Sequence, residues 1–132
     1  MKKILILAGG YSKENEISLK TAKSVFSQLN KDKNYILKVV NPNGQFIEVL
    51  RKFKPNTVLN LLHGRYGEDG YIQAILESEK VNYTHSGILS SALAIDKELS
   101  KKIFIKNKIL TPKFLKYSYK TSLNKKKFLK KL

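Results

Sequence analysis

Cysteine and tryptophan are absent from the 132 residues, proline occurs three times and arginine only at Arg51 and Arg65. Without cysteine there can be no disulfide, no thiolate metal site and no cysteine nucleophile. No apolar run approaches the roughly 20 residues of a membrane-spanning helix. The start MKKILILAGG is too short and too glycine-terminated for a signal peptide. The expected compartment is therefore the cytosol, with no membrane partner. Scarce arginine also bears on the net charge of +16, because 24 of the 26 basic residues are lysine. Lysine lacks the planar fork that reads phosphates and bases bidentately. The charge is uneven: residues 1–97 hold 14 basic and 9 acidic groups (+5), residues 98–132 hold 12 basic groups and Glu98 (+11). No aromatic–basic stacking module accompanies it, since Tyr117 and Tyr119 fall in an alternating strand pattern. No nucleic-acid partner is expected. The two histidines and nearby acids do not form a pattern such as H-E-x-x-H, so no metal site is expected within the chain.

What is present is a globular composition, 42% hydrophobic and 27% charged, long enough to bury a core without a staple. Residues 3–8 (KILILA) form a continuous apolar run closed by two glycines, the pattern of a strand buried on both faces. Ile17, Ala22, Val25, Phe26 and Leu29 recur at helical spacing. Residues 35–40 predict a second strand ended by Asn-Pro-Asn-Gly, and Phe46 to Phe53 a short helix. Residues 57–62 predict a third strand, 71–78 a helix, 81–84 a short fourth strand and 88–107 helix with a break near Asp96. Strands and helices alternating this closely imply βαβ units in a small doubly wound parallel sheet, with helices on both faces. An alternating strand is expected at 113–119 and a lysine-rich helical stub at 120–132. The chain is expected to divide into an α/β domain, 1–96, and an incomplete second one, 97–132.

In such sheets ligands bind at the carboxyl ends of the strands. Three polar loops fall there. In residues 9–19 two glycines let a ligand approach the backbone, but neither a G-x-G-x-x-G nor a G-x-x-x-x-G-K-[ST] signature is present. Ser12 or Asn15 can cap the following helix, with Glu14 and Glu16 facing its dipole. A carboxylate beyond that need suits a ligand ammonium group. In residues 63–70 (HGRYGEDG) three glycines surround a histidine that can hold a carboxylate or a developing acyl oxygen. Glu68 and Asp69 there have a capping role open to them. The third loop, residues 84–87 (THSG), holds Ser86, which has no Asp-His partner and no G-x-S-x-G elbow. Ser86 therefore either caps the helix from Ile88 or touches a small ligand.

Taken together, GGYSKENEISL (9–19), LHGRYGEDGYIQAILE (62–77) and YTHSGILSSALAIDKELSKKIF (83–104) resemble the amino-terminal part of the bacterial D-alanine–D-alanine ligase family of ATP-grasp enzymes. The resemblance runs from Lys3 to about Tyr119 and implies a Rossmann-like pre-ATP-grasp domain followed by the beginning of the ATP-grasp central domain. It implies that Glu14, supported by Ser12, meets the amino group of a first D-alanine. His63 contacts that substrate's carboxylate, with Gly64 and Ser86 alongside. ATP then phosphorylates the carboxylate, the amine of a second D-alanine attacks the acyl phosphate, and the dipeptide, ADP and phosphate result. Lys97 is the residue implied to reach the nucleotide. Magnesium ligands, the acyl-phosphate-binding arginine and most nucleotide contacts are expected outside these 132 residues, so the chain alone is expected to be inactive. A homodimer is also implied. His85 departs from the pattern, because the family usually has glycine there.

Overall fold

The computed structural model describes residues 1–116. Three strands, β1 (Lys2–Leu7), β2 (Tyr35–Val40) and β3 (Thr57–Asn60), form an all-parallel sheet in the order β2-β1-β3. Lys2 lies opposite Tyr35 and Leu7 opposite Val40, while Ile4 faces Thr57 and Leu7 faces Asn60. The helices are α1 (Asn15–Leu29), α2 (Phe46–Phe53), α3 (Tyr71–Ser78), α4 (Ile88–Ile95) and α5 (Lys97–Lys106).

The apolar run of β1 is buried on both faces, as a central parallel strand requires. Leu5 and Leu7 join Val58 and pack on Phe46 and Leu50 of α2 and Ile72 and Leu76 of α3. Ile6 and Ala8 point the other way, to Ala22 and the half-buried Phe26 of α1. Period-2 alternation thus splits one strand between two cores. The chain passes from β2 back across β1 to β3, so the strand order reverses on either side of β1. A crevice opens there at the carboxyl ends of β1 and β3, the usual place for a ligand in this architecture.

Several elements differ from the sequence expectation. The fourth strand is a single parallel bridge between Val58 and Tyr83. Val58 N–H donates to Asn82 O (2.8 Å) and Thr84 N–H to Val58 O (3.0 Å), but the next strand donor, Asn60 N–H, goes to the Thr84 hydroxyl (3.1 Å). A side chain thereby ends the ladder. Likewise β3 stops at Asn60 rather than at Leu62, because the Asn60 side chain accepts from Leu62 N–H (3.2 Å) and donates to Gly67 O (2.9 Å). The helical break does fall at Asp96, whose Oδ1 accepts from Glu98 N–H (2.9 Å) and Leu99 N–H (3.0 Å) and caps α5. Residues 113–116 are not a strand, and the rest of that expected strand and the helical stub lie outside the described residues.

The chain separates into two compact units, Met1–Ser100 and Lys101–Leu132. Within the second, Lys101 Nζ donates to Thr111 Oγ1 (3.0 Å) and Pro112 O (2.9 Å). Among the described residues no helix is long and apolar enough to cross a membrane. Two electrostatic features brace the first unit away from the crevice. Arg51 and Glu79 form a two-point ion pair (2.8 and 2.6 Å) that holds the Glu79 carboxyl below its ordinary range. Burial, reinforced by its hydrogen bond to Glu77, pushes the Tyr83 phenol up to about 12.

Candidate functional site

The loop after β1 is tied down by α1. Ser18, fully buried on the apolar face of α1, accepts from Gly9 N–H (2.8 Å) and donates to Leu61 O (2.7 Å). One hydroxyl therefore fixes the ends of β1 and β3 relative to each other. Asn15 Nδ2 donates to Gly10 O (2.6 Å). The expected side-chain cap at Ser12 or Asn15 is not made: Glu14 occupies the N-cap position of α1 without a capping bond. Ser12 Oγ instead accepts from Glu14 N–H (3.1 Å) and donates to His63 O (2.7 Å). Glu14 is left exposed, with its carboxylate uncommitted to the helix.

That bridge draws the 9–14 and 63–70 loops together. Gly64 has φ +71°, and a Cβ there would stand 3.0 Å from Glu14 Oε2 and 3.5 Å from Ser12 Cβ. A side chain at 64 would crowd the carboxylate and strain the backbone. Ser12, Glu14, His63 and Gly64 are thus one cluster. The loop is held from within by its acids; neither occupies the N-cap position, but Asp69 does meet the first N–H of α3, as a capping role would require. Glu68 Oε2 accepts from Gly64 N–H (2.7 Å), Asp69 Oδ2 from Tyr66 N–H (2.9 Å) and Asp69 Oδ1 from Tyr71 N–H (3.2 Å). Gly70 is the N-cap of α3. His63 presents Nδ1 to Glu68 Oε1 at 3.9 Å, and its Nε2 is buried without a hydrogen-bond partner.

Ser86 and Lys97 lie apart from that cluster. They line a second cleft of about 250 Å³ together with Glu68, His85 and Ser90. Ser86 does not cap α4, because Gly87 is the N-cap and makes no side-chain bond; the Ser86 carbonyl accepts from Ser91 Oγ (3.1 Å). The first cleft, about 220 Å³, has mainly apolar walls, including Phe46, Ile47 and Tyr71, and takes in Ser12 and His63 at its rim. Glu68 is the residue common to both parts of the site, since it touches the His63 loop and lines the second cleft. Sequence reasoning left Glu68 with a capping alternative and did not place it among the site residues, and it missed Ser18. The signal for Ser18 was its position four residues before Ala22, on the buried face of α1.

His85 has φ +98°, a conformation that L side chains rarely adopt, and its only described bond is between Nδ1 and Thr84 O (2.9 Å). Glycine carries no penalty there. His85→Gly is expected to raise unfolding stability by about 1 kcal/mol in urea denaturation, relief of strain exceeding the added chain entropy. An unchanged or lower midpoint would show that the residue is not strained.

The doubly wound sheet, with polar loops converging at the carboxyl ends of β1 and β3, defines a Rossmann-like α/β domain. No family model matches the chain. Individual proteins do: it is 56% identical over 119 residues to the D-alanine–D-alanine ligase of Pelagibacter ubique (strain HTCC1062), covering 90% of this chain and 39% of that protein. Identity is 41% over 122 residues to the ligase of Carboxydothermus hydrogenoformans, covering 92% and 39%. Among solved structures, the D-alanine–D-alanine ligase of Bacillus anthracis complexed with ATP superposes with a TM-score of 0.79 at 33% identity, covering 98% of this chain and 44% of that one. The chain is a relative of the amino-terminal part of D-alanine–D-alanine ligases, and it spans about 39% of the length of the curated relatives just named.

Proposed function

We propose that the chain is the first-substrate domain of an ATP-dependent D-alanine–D-alanine ligase, acting in the cytosol to make the dipeptide precursor of peptidoglycan. The observation that carries the reading is the Ser12–Glu14–His63–Gly64 cluster at the reversal of strand order. The exposed Glu14 carboxylate lies beside Gly64, which directly follows the half-buried His63 and, having no side chain, does not crowd the carboxylate. That pairing suits a zwitterionic amino acid, with Glu14 receiving the ammonium and the His63 ring donating to the carboxylate. Ser12 holds the two loops at that spacing. Gly64 supplies clearance, and Ser86 borders the neighbouring cleft.

ATP, when bound, supplies the phosphoryl group that activates the substrate carboxylate. The only contact proposed for it in this chain is the exposed ammonium of Lys97, at the start of α5. Among the described residues no group of three His, Asp or Glu side chains could hold a metal ion, so magnesium would be held by other residues of the ligase. In this reading the domain boundary falls at residues 96 and 97, and the assembly is a homodimer.

Phosphoryl transfer depends on positioning and on metal electrostatics, so the 132 residues by themselves are expected to bind but not to ligate. Incubated with ATP, magnesium and D-alanine, the purified chain should release no more phosphate than its His63→Ala variant. D-Alanine-dependent phosphate release above that control would mean that the catalytic machinery is contained in these residues.

A further inference from the structure

We infer that Glu68 is a positioning residue, which selects the protonation form of His63 able to hold a substrate carboxylate. The inference rests on the reading of His63 given above. Glu68 has two oxygens with separate tasks. Oε2 takes the Gly64 N–H at 2.7 Å, which anchors the side chain, and Oε1 is left 3.9 Å from His63 Nδ1. The second distance is that of an ion pair; such contacts shorten when a ligand orders the site. A carboxylate has no proton to offer, so it favours a proton on Nδ1. In neutral His63 that leaves Nε2, the buried and unpartnered nitrogen, as a bare acceptor. A bare acceptor repels a carboxylate. Only the imidazolium, protonated on both nitrogens, satisfies Glu68 at Nδ1 and donates from Nε2 to the substrate.

The other charged groups around the pair do not replace Glu68 in this role. Glu14 lies beside the Cα of Gly64, whereas the anchor takes the Gly64 N–H. Lys13 is exposed on the 9–14 loop. Arg65 lines the first cleft with His63 and has its guanidinium over the ring of Tyr66, 5.5 Å from the centroid. His85 and Lys97 border the second cleft, which Glu68 also lines. Asp69 is occupied with Tyr66 N–H and Tyr71 N–H.

Glu68→Gln tests the assignment with little change of shape. The Gly64 N–H must still be met by an oxygen, which turns the amide NH2 toward Nδ1. Neutral His63 then carries its proton on Nε2. In 15N-labelled chain at pH 8, wild-type His63 is expected to be protonated on Nδ1 and Glu68→Gln to be protonated on Nε2, read from the ring nitrogen shifts and their couplings to ring protons. The same tautomer in both proteins, or an Nε2 proton in the wild type, overturns the inference. Binding gives a second readout. Wild-type affinity for D-alanine should be several-fold weaker at pH 8 than at pH 6, whereas that of Glu68→Gln should stay within about twofold over that range. A Glu68→Gln profile as steep as the wild type also overturns it. Glu68→Ala, which strips the anchor from Gly64, separates loop collapse from tautomer control, because it should weaken binding at every pH. His63→Ala is the control for the parent reading: unchanged D-alanine binding in that variant removes the function proposed for His63, while the tautomer comparison still decides the role of Glu68.

Discussion

Gly67→Ala is expected to destabilise the domain by about 3 kcal/mol and to disrupt the 63–70 loop. The position is fixed by close approach: a Cβ built at 67 would overlap Leu62 Cβ and lie 3.2 Å from the Leu62 carbonyl carbon. Leu62 is itself buried in the core with Leu5, Leu7 and Ile72, so it has no room to retreat. The Gly67 carbonyl accepts from both Asn60 Nδ2 (2.9 Å) and Gln73 Nε2 (3.0 Å), two fully buried side chains. Displacing the backbone would leave two buried donors without a partner, each worth about 1–3 kcal/mol, on top of an overpacking cost of similar size. Partial relaxation keeps the sum near 3 kcal/mol, a large fraction of a small domain's stability. Urea denaturation checks the prediction, and a change below 1 kcal/mol would mean that the loop has slack the packing does not suggest.

Glu14→Gln should weaken D-alanine binding by about 10- to 100-fold with little change in stability. A charge-assisted hydrogen bond contributes roughly 1.5–3 kcal/mol, and the amide retains shape but loses the charge. Stability should hold, because the side chain makes no cap bond and is exposed; the Ser12 bond is to its backbone N–H. D-Lactate supplies the internal control. It keeps the carboxylate and lacks the ammonium, so its weak binding should be the same in wild type and Glu14→Gln. Calorimetric or NMR titration with both ligands separates the cases. Equal loss for D-lactate would move Glu14 from ammonium recognition to loop structure.

Much of the fold was legible because its main signals are local. The run KILILA needs burial on both faces, and the two cores on either side of β1 supply it. The strand at Tyr35–Val40, the helices at Phe46–Phe53 and Tyr71–Ser78, and the break at Asp96 follow from periodicity and from turn or cap chemistry. The failures are places where a side chain takes over a backbone partner. The Thr84 hydroxyl ends the ladder that the short apolar run 81–84 suggested, and Asn60 closes β3 two residues early. Periodicity carries no information about such substitutions. The residues of the candidate site were visible as three glycine-bearing loops after strands. Their mutual placement was not, since it depends on Ser18 and Ser12, two hydroxyls that span 43 and 51 residues in sequence. Glu68 looked like a local cap because its reach back to Gly64 and His63 is a property of the folded loop.

The central claim is that the cluster at the ends of β1 and β3 holds the two charged ends of D-alanine. The most direct measurement is an amide and histidine-ring NMR titration of the 132-residue chain with D-alanine near neutral pH. Saturable shifts are expected at Ser12, Glu14, His63 and Gly64, with a dissociation constant on the order of millimolar, about 4 kcal/mol of binding free energy, as befits one partial site. Absence of saturable shifts at these four residues, or saturable shifts confined to other surfaces, would contradict it.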